Sequence, residues 1–95
     1  DPQDTWIWLE IMNVNGEKGW CYGKNDGIFF ETFKNWFFVK KEALQKIIED
    51  KVKKELVYDP NLAYYKCYRR HGRKDVTTLI KTSDIKPYSN LIFEK

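Results

Sequence analysis

Between residues 64 and 81, six cations, Lys66, Arg69, Arg70, Arg73, Lys74 and Lys81, stand against the single acid Asp75, in company with Tyr64, Tyr65 and Tyr68. Contact with phosphate is mainly a matter of placing cations along a backbone, and tyrosines pack on sugars or bases, so this composition suits DNA or RNA. A solvated hairpin whose arginines keep a sheet edge soluble would carry the same cluster. Glu10 is the second residue of interest, a carboxylate set between Leu9 and Ile11. A buried carboxylate needs a partner, which would be a divalent cation or a basic side chain; if Glu10 faces outward, water suffices. Asp26 belongs to an Asn25-Asp26-Gly27 turn, where its side chain can cap the backbone.

Other chemistry is excluded by residue type. The one histidine, His71, lies in a turn and reads as a surface residue, which leaves no histidine to serve as the base of a hydrolytic triad. Cys21 and Cys67 have no CxxC spacing and cannot build a four-ligand zinc site, so they read as reduced thiols of a cytoplasmic protein, with a disulfide between them as the less common alternative. No glycine-rich nucleotide loop occurs.

The elements that must position these residues follow from periodicity. Trp6, Trp8, Glu10 and Met12 alternate with Ile7, Leu9 and Ile11, a strand apolar on both faces. Asn13 to Gly16 is a turn that returns the chain into Gly19 to Tyr22; Asn25-Asp26-Gly27 is another, before the runs Ile28 to Glu31 and Trp36 to Val39. Residues 5–39 are therefore expected to form an antiparallel β-meander. From Lys40 the period changes, with Leu44, Ile47, Ile48, Val52 and Leu56 on one stripe, which predicts an amphipathic helix near 41–57 ended by Asp59-Pro60. A β-hairpin is expected over 63–82, turning at His71 to Lys74, and Leu91 to Phe93 would add a short edge strand. The fold class is α+β, with the helix packed on the sheet.

The 95 residues suffice for a single domain with one core, and no apolar run exceeds the four residues Trp36 to Val39, so a membrane helix is not expected. The net charge of +3 is unevenly spread. Residues 1–39 hold three lysines against six acids and ten of the sixteen aromatics; residues 40–95 hold fourteen basic residues against eight acids. An acidic aromatic half that holds a cation beside a basic half that holds phosphate would look like this, as would ordinary surface variation.

The string Asp4-Thr5-Trp6-Ile7-Trp8-Leu9-Glu10, then Gly16, Gly19-Trp20 and Asn25-Asp26, resembles the PD-(D/E)xK, restriction-endonuclease-like nucleases of phage type. Tyr68-Arg69-Arg70 and Gly72-Arg73-Lys74-Asp75, leading to Leu79-Ile80-Lys81, resemble their basic tail. The resemblance implies Mg²⁺-dependent phosphodiester hydrolysis, with Glu10 as metal-side carboxylate and Asp26 as the second matching acid. It covers the C-terminal portion of that family, since the metal-binding Asp and (E/Q)xK strand precede the matched strand; Glu49-Asp50-Lys51 falls instead on the expected helix. Three readings follow: part of a longer nuclease completed by an upstream segment or by homo-oligomerisation, a relative that binds nucleic acid without cutting it, or a protein-interaction or inhibitor module of phage or mobile-element origin that presents its tryptophans to a partner.

Overall fold

The computed structural model describes residues 4–95. In chain order its elements are β1 (Trp6–Met12), β2 (Gly27–Glu31), β3 (Asn35–Lys40), α1 (Lys41–Lys51), β4 (Lys53–Val57), a 3₁₀ turn (Pro60–Leu62), β5 (Lys66–Tyr68), β6 (Val76–Lys81), α2 (Thr82–Ile85), a second 3₁₀ turn (Lys86–Tyr88) and β7 (Leu91–Glu94). The class is α+β, as expected. The strands form two sheets: sheet A has the order β1-β6-β5-β4 and sheet B the order β2-β3-β7.

One core lies between them. Ile7 and Leu9 of β1 and Ile80 of β6 meet Phe30, Phe37 and Val39 of sheet B, with Leu44, Ile47 and Ile48 of α1 and Ile85 of α2 closing the cluster. Alternation thus sends one face of each sheet inward and leaves the other looking out. α1 has Glu42 in its first turn and Lys51 in its last, both favourable to the helix dipole.

Three expectations about elements are refined. The run 5–39 is not one continuous meander, because β1 pairs antiparallel with β6, matching Ile7 to Ile80 and Leu9 to Thr78. The segment expected to return beside it, Gly19 to Tyr22, is a turn that covers the far edge of β1 through Gly19 N–H to Ile11 O (2.9 Å) and Cys21 N–H to Glu10 O (3.4 Å). Any side chain at Gly19 would meet Glu10 O at 2.6 Å, so only glycine lets the turn approach this closely. Met12 also leaves the face of Trp6 and Trp8. A bulge between Glu10 and Met12 brings Met12 opposite Val76, in phase with Thr78 and Ile80, and so onto the Ile7 side.

The helix stops at Lys51 rather than near 57. Val52 is extended, Lys53 N–H bonds Tyr65 O at 2.8 Å, and the chain runs on as β4 parallel to β5. Burial shows why: Val57 is buried whereas Leu56, the residue on the helical stripe, is exposed. Sheet pairing here overrides helical periodicity. The expected hairpin is present as β5 and β6, registered through Tyr68 and Thr77, and the edge strand is β7, paired to β3.

Candidate nucleic-acid interface

Because β1 joins β6, the tryptophans of the first strand and the tyrosines and cations of the hairpin share the outer face of sheet A. Register places Trp6 opposite Lys81, Trp8 opposite Leu79, and Glu10 and Tyr68 opposite Thr77. The rings interlock: Trp6 lies 4.6 Å from Tyr64 and 6.1 Å from Tyr65, both edge-on, and Trp8 lies 5.7 Å from Tyr68. The Lys81 ammonium sits 5.8 Å over the Trp6 ring. Beneath them Val57 and Leu79 are buried on this same face, outside the main core cluster, so the aromatics stand on a packed apolar layer of their own. Trp8 and Tyr64 nevertheless stay 43% and 44% exposed, which leaves ring surface available for stacking.

Tyr65 makes this arrangement possible. It adopts φ 56°, a left-handed conformation that costs a non-glycine residue about 1–2 kcal/mol. Hydrogen bonds hold it there: Tyr65 N–H to Leu79 O (2.9 Å), Lys53 N–H to Tyr65 O (2.8 Å), and the Tyr65 hydroxyl to Asp84 Oδ2. The kink lets Tyr64 bridge to Leu79 and both tyrosines reach Trp6. Burial, then the bond to Asp84, pushes the Tyr65 hydroxyl above its usual pKa, so it donates steadily. Burial alone would raise Asp84, but the Tyr65 hydroxyl and Lys51, whose ammonium lies 3.1 Å away, hold it below the usual carboxylate range.

The six expected phosphate contacts separate into groups. Arg73 and Lys74 are exposed and make no ion pair among the described residues. Lys81 is also exposed, at the opposite end of the face. Arg70 is exposed but pairs with Asp75 at 3.0 Å, and Lys66 pairs with Glu55 at 3.2 Å. Arg69 is turned away: its guanidinium approaches Met12 Sδ at 3.8 Å and its Nε is buried without a partner among the described residues. His71 stacks on Tyr58, centroids 4.7 Å apart and planes 17° apart.

The carboxylates expected on the metal side stand apart from one another in the fold. Glu10 belongs to sheet A and its Oε1 accepts the Trp20 N–H at 3.3 Å, which supplies the partner its partly buried carboxylate requires. Asp26 is exposed in the turn before β2, on the other sheet, and its carbonyl accepts Lys41 N–H at 3.1 Å. Among the described residues no three His, Cys, Asp or Glu side chains gather to hold a metal ion. This donor set does not by itself fit Mg²⁺.

Both cysteines are free thiols. Burial, with the Glu10 carboxylate beside it, pushes Cys21 up to about 12, which makes it an inert core residue. Burial also raises the Cys67 thiol. Among the described residues no helix is long and apolar enough to cross a membrane.

The fold and this face define a class: a small α+β domain with one sheet face built of aromatics and cations. Comparisons with protein-family models, curated proteins and solved structures find no match for the chain.

Proposed function

We propose that this protein binds single-stranded nucleic acid on the outer face of sheet A, in the cytoplasm, where its two free cysteines would stay reduced. The observation that carries the reading is the placement of exposed Trp8 and Tyr64 on one face with Lys66 and Lys81, with Arg70, Arg73 and Lys74 in the turn that joins its strands. Bases stack on the rings while the backbone meets cations at either end, and stacking is open only to bases freed from a duplex. A flat sheet face without a protruding helix also suits single strands better than a duplex groove. The nuclease-like resemblance supports the binding half of this reading through the basic hairpin. Its hydrolytic half rests on Glu10 and Asp26, and no step is derived through them.

The test is fluorescence anisotropy of labelled single-stranded and duplex DNA and RNA of equal length, in a salt series with Mg²⁺ or EDTA. Tighter binding of single strands, weakening with salt, is expected. Equal or tighter binding of duplex would remove the stacking role, and no binding at low salt would end the proposal. Mg²⁺-dependent cleavage that Glu10→Gln abolishes would restore the hydrolytic half.

A further inference from the structure

Sheet B turns a different face to solvent. Register puts Phe29, Phe38 and Leu91 in one row across its three strands and Glu31, Trp36 and Phe93 in the next. Phe29 lies 4.8 Å from Phe38 and 6.3 Å from Phe93, a continuous aromatic surface. Phe38 lies low because Gly27 is bare; a Cβ at Gly27 would meet its ring at 2.6 Å. Phe29, Trp36, Leu91 and Phe93 remain 53%, 41%, 51% and 49% exposed. Lys95 reaches over the Trp36 ring, 5.6 Å from its centroid, and pairs with Glu31. Every residue of β7 is exposed, and no strand among the described residues pairs with its far side.

We infer that this face is the interface of a homodimer, two copies packing sheet B against sheet B about a twofold axis running across the strands. The area fits such an occupant. With large side chains of roughly 200 Å² half exposed, the four residues offer about 400 Å² of apolar surface, and Phe38 adds to it. A standard interface takes about 800 Å² per partner, somewhat over half of it apolar, so this face supplies most of the apolar share and its rim the remainder.

The charges fit a second copy as well. The aromatic rows carry no excess charge of either sign that would select a charged partner. Along the strands the patch ends in Lys40 on one side and in the row of the internally paired Glu31 and Lys95 on the other. Reversing the strands across the axis sets the Lys40 end of one copy over the neutral Glu31–Lys95 pair of its mate, so no net like charges are opposed across the rim. The inner faces of both sheets share one core, so this packing leaves the outer face of sheet A uncovered in each copy.

Sedimentation of the whole chain across a dilution series tests the inference. The wild type is expected at twice its 11.5 kDa mass when concentrated, dissociating on dilution. Phe29→Lys with Phe93→Lys should weaken the dimer more than about tenfold while the circular dichroism spectrum, and the melt at a dilution where both chains are monomeric, stay unchanged, because both residues are half exposed. Should that variant unfold, Leu91→Asp decides instead: it lies on the exposed edge strand in the same row as Phe29 and should weaken association while leaving the fold intact. A wild type that stays monomeric at millimolar concentration, as a face reserved for a different protein would, overturns the inference. So does association that neither set of changes affects. Nucleic-acid affinity is measured separately on the monomeric variant, so failure of either reading leaves the other standing.

Discussion

The two sheets present outer faces of similar aromatic content and different chemistry. On sheet A the rings are Trp6, Trp8, Tyr64, Tyr65 and Tyr68, side chains with polar handles, set beside Lys81 and the hairpin-turn cations Arg73 and Lys74, which make no ion pair among the described residues. On sheet B they are Phe29, Phe38 and Phe93 with Trp36 and Leu91, and the charge over them is an internal Lys95–Glu31 pair. A ring flanked by unneutralised cations suits a polyanion with planar bases; a ring with nothing polar to offer suits another apolar face. Aromatic content alone therefore does not assign a surface. What decides is whether the neighbouring charges are already answered within the fold.

The sharpest way to break the comparison is to exchange one ring from each face. Trp8→Ala should cost about 1–3 kcal/mol of single-strand affinity, a loss of roughly 5- to 150-fold, with Trp8→Phe restoring most of it. Phe29→Ala should leave that affinity at the wild-type value. Equal losses from both, measured by anisotropy with the melt as control, would erase the distinction between the faces.

The cations give the next effect. Arg73→Ala and Lys74→Ala should each lower the slope of log affinity against log salt by about 0.7, the increment for one single-strand phosphate contact. Arg69→Ala should leave the slope unchanged, because its guanidinium faces Met12. A flattened slope for Arg69→Ala would place that side chain on the phosphate side after all.

This division of labour was only partly legible in the sequence. The helix start, the core stripe Leu44, Ile47 and Ile48, and the hairpin with its cations are local patterns, and local periodicity reveals them. The pairing of β1 with β6 joins segments about 70 residues apart, and nothing near Trp8 in the chain announces Tyr68 as its neighbour. The turn at Asn13 to Gly16 correctly signalled a reversal, formed with Asn13 Oδ1 accepting the Asn15 and Glu17 N–H groups, but what returns is a covering turn rather than a strand. The inward aim of Arg69 depends on where the bulge sends Met12, which alternation by itself misassigns. Glu10's need for a partner was readable; that the partner is the Trp20 N–H was not.

A smaller effect separates inner from outer faces of sheet A. Thr78 projects inward opposite Leu9, is fully buried, and its hydroxyl finds no partner among the described residues. Thr78→Val keeps the shape and removes an unsatisfied group, so it should raise stability by about 1 kcal/mol in chemical denaturation without touching nucleic-acid affinity. Thr77→Val, one residue along and on the outer face, has no such buried hydroxyl to relieve and should be near neutral. A gain at Thr77 matching that at Thr78 would contradict the assignment of faces.

The smallest effect concerns what holds the aromatic face in place. Asp84 anchors the strained Tyr65 and has its carboxyl held below the usual range, despite burial, by the Tyr65 hydroxyl and Lys51. A carboxylate lowered in the folded state stabilises the fold fully above its unfolded value of 3.8 and loses that contribution as pH falls through the lowered one. Asp84→Asn should therefore reduce stability at neutral pH and flatten part of the decline below pH 4. Because Tyr65 carries one of the two tyrosine contacts to Trp6, the same substitution should loosen the Trp6 environment, seen as a change in tryptophan emission. On the sheet B face, association should be unmoved, since neither Asp84 nor Tyr65 lies in its aromatic rows. A variant that alters dimerisation as strongly as tryptophan emission would mean that the two faces are coupled through the core rather than built independently on its two sides.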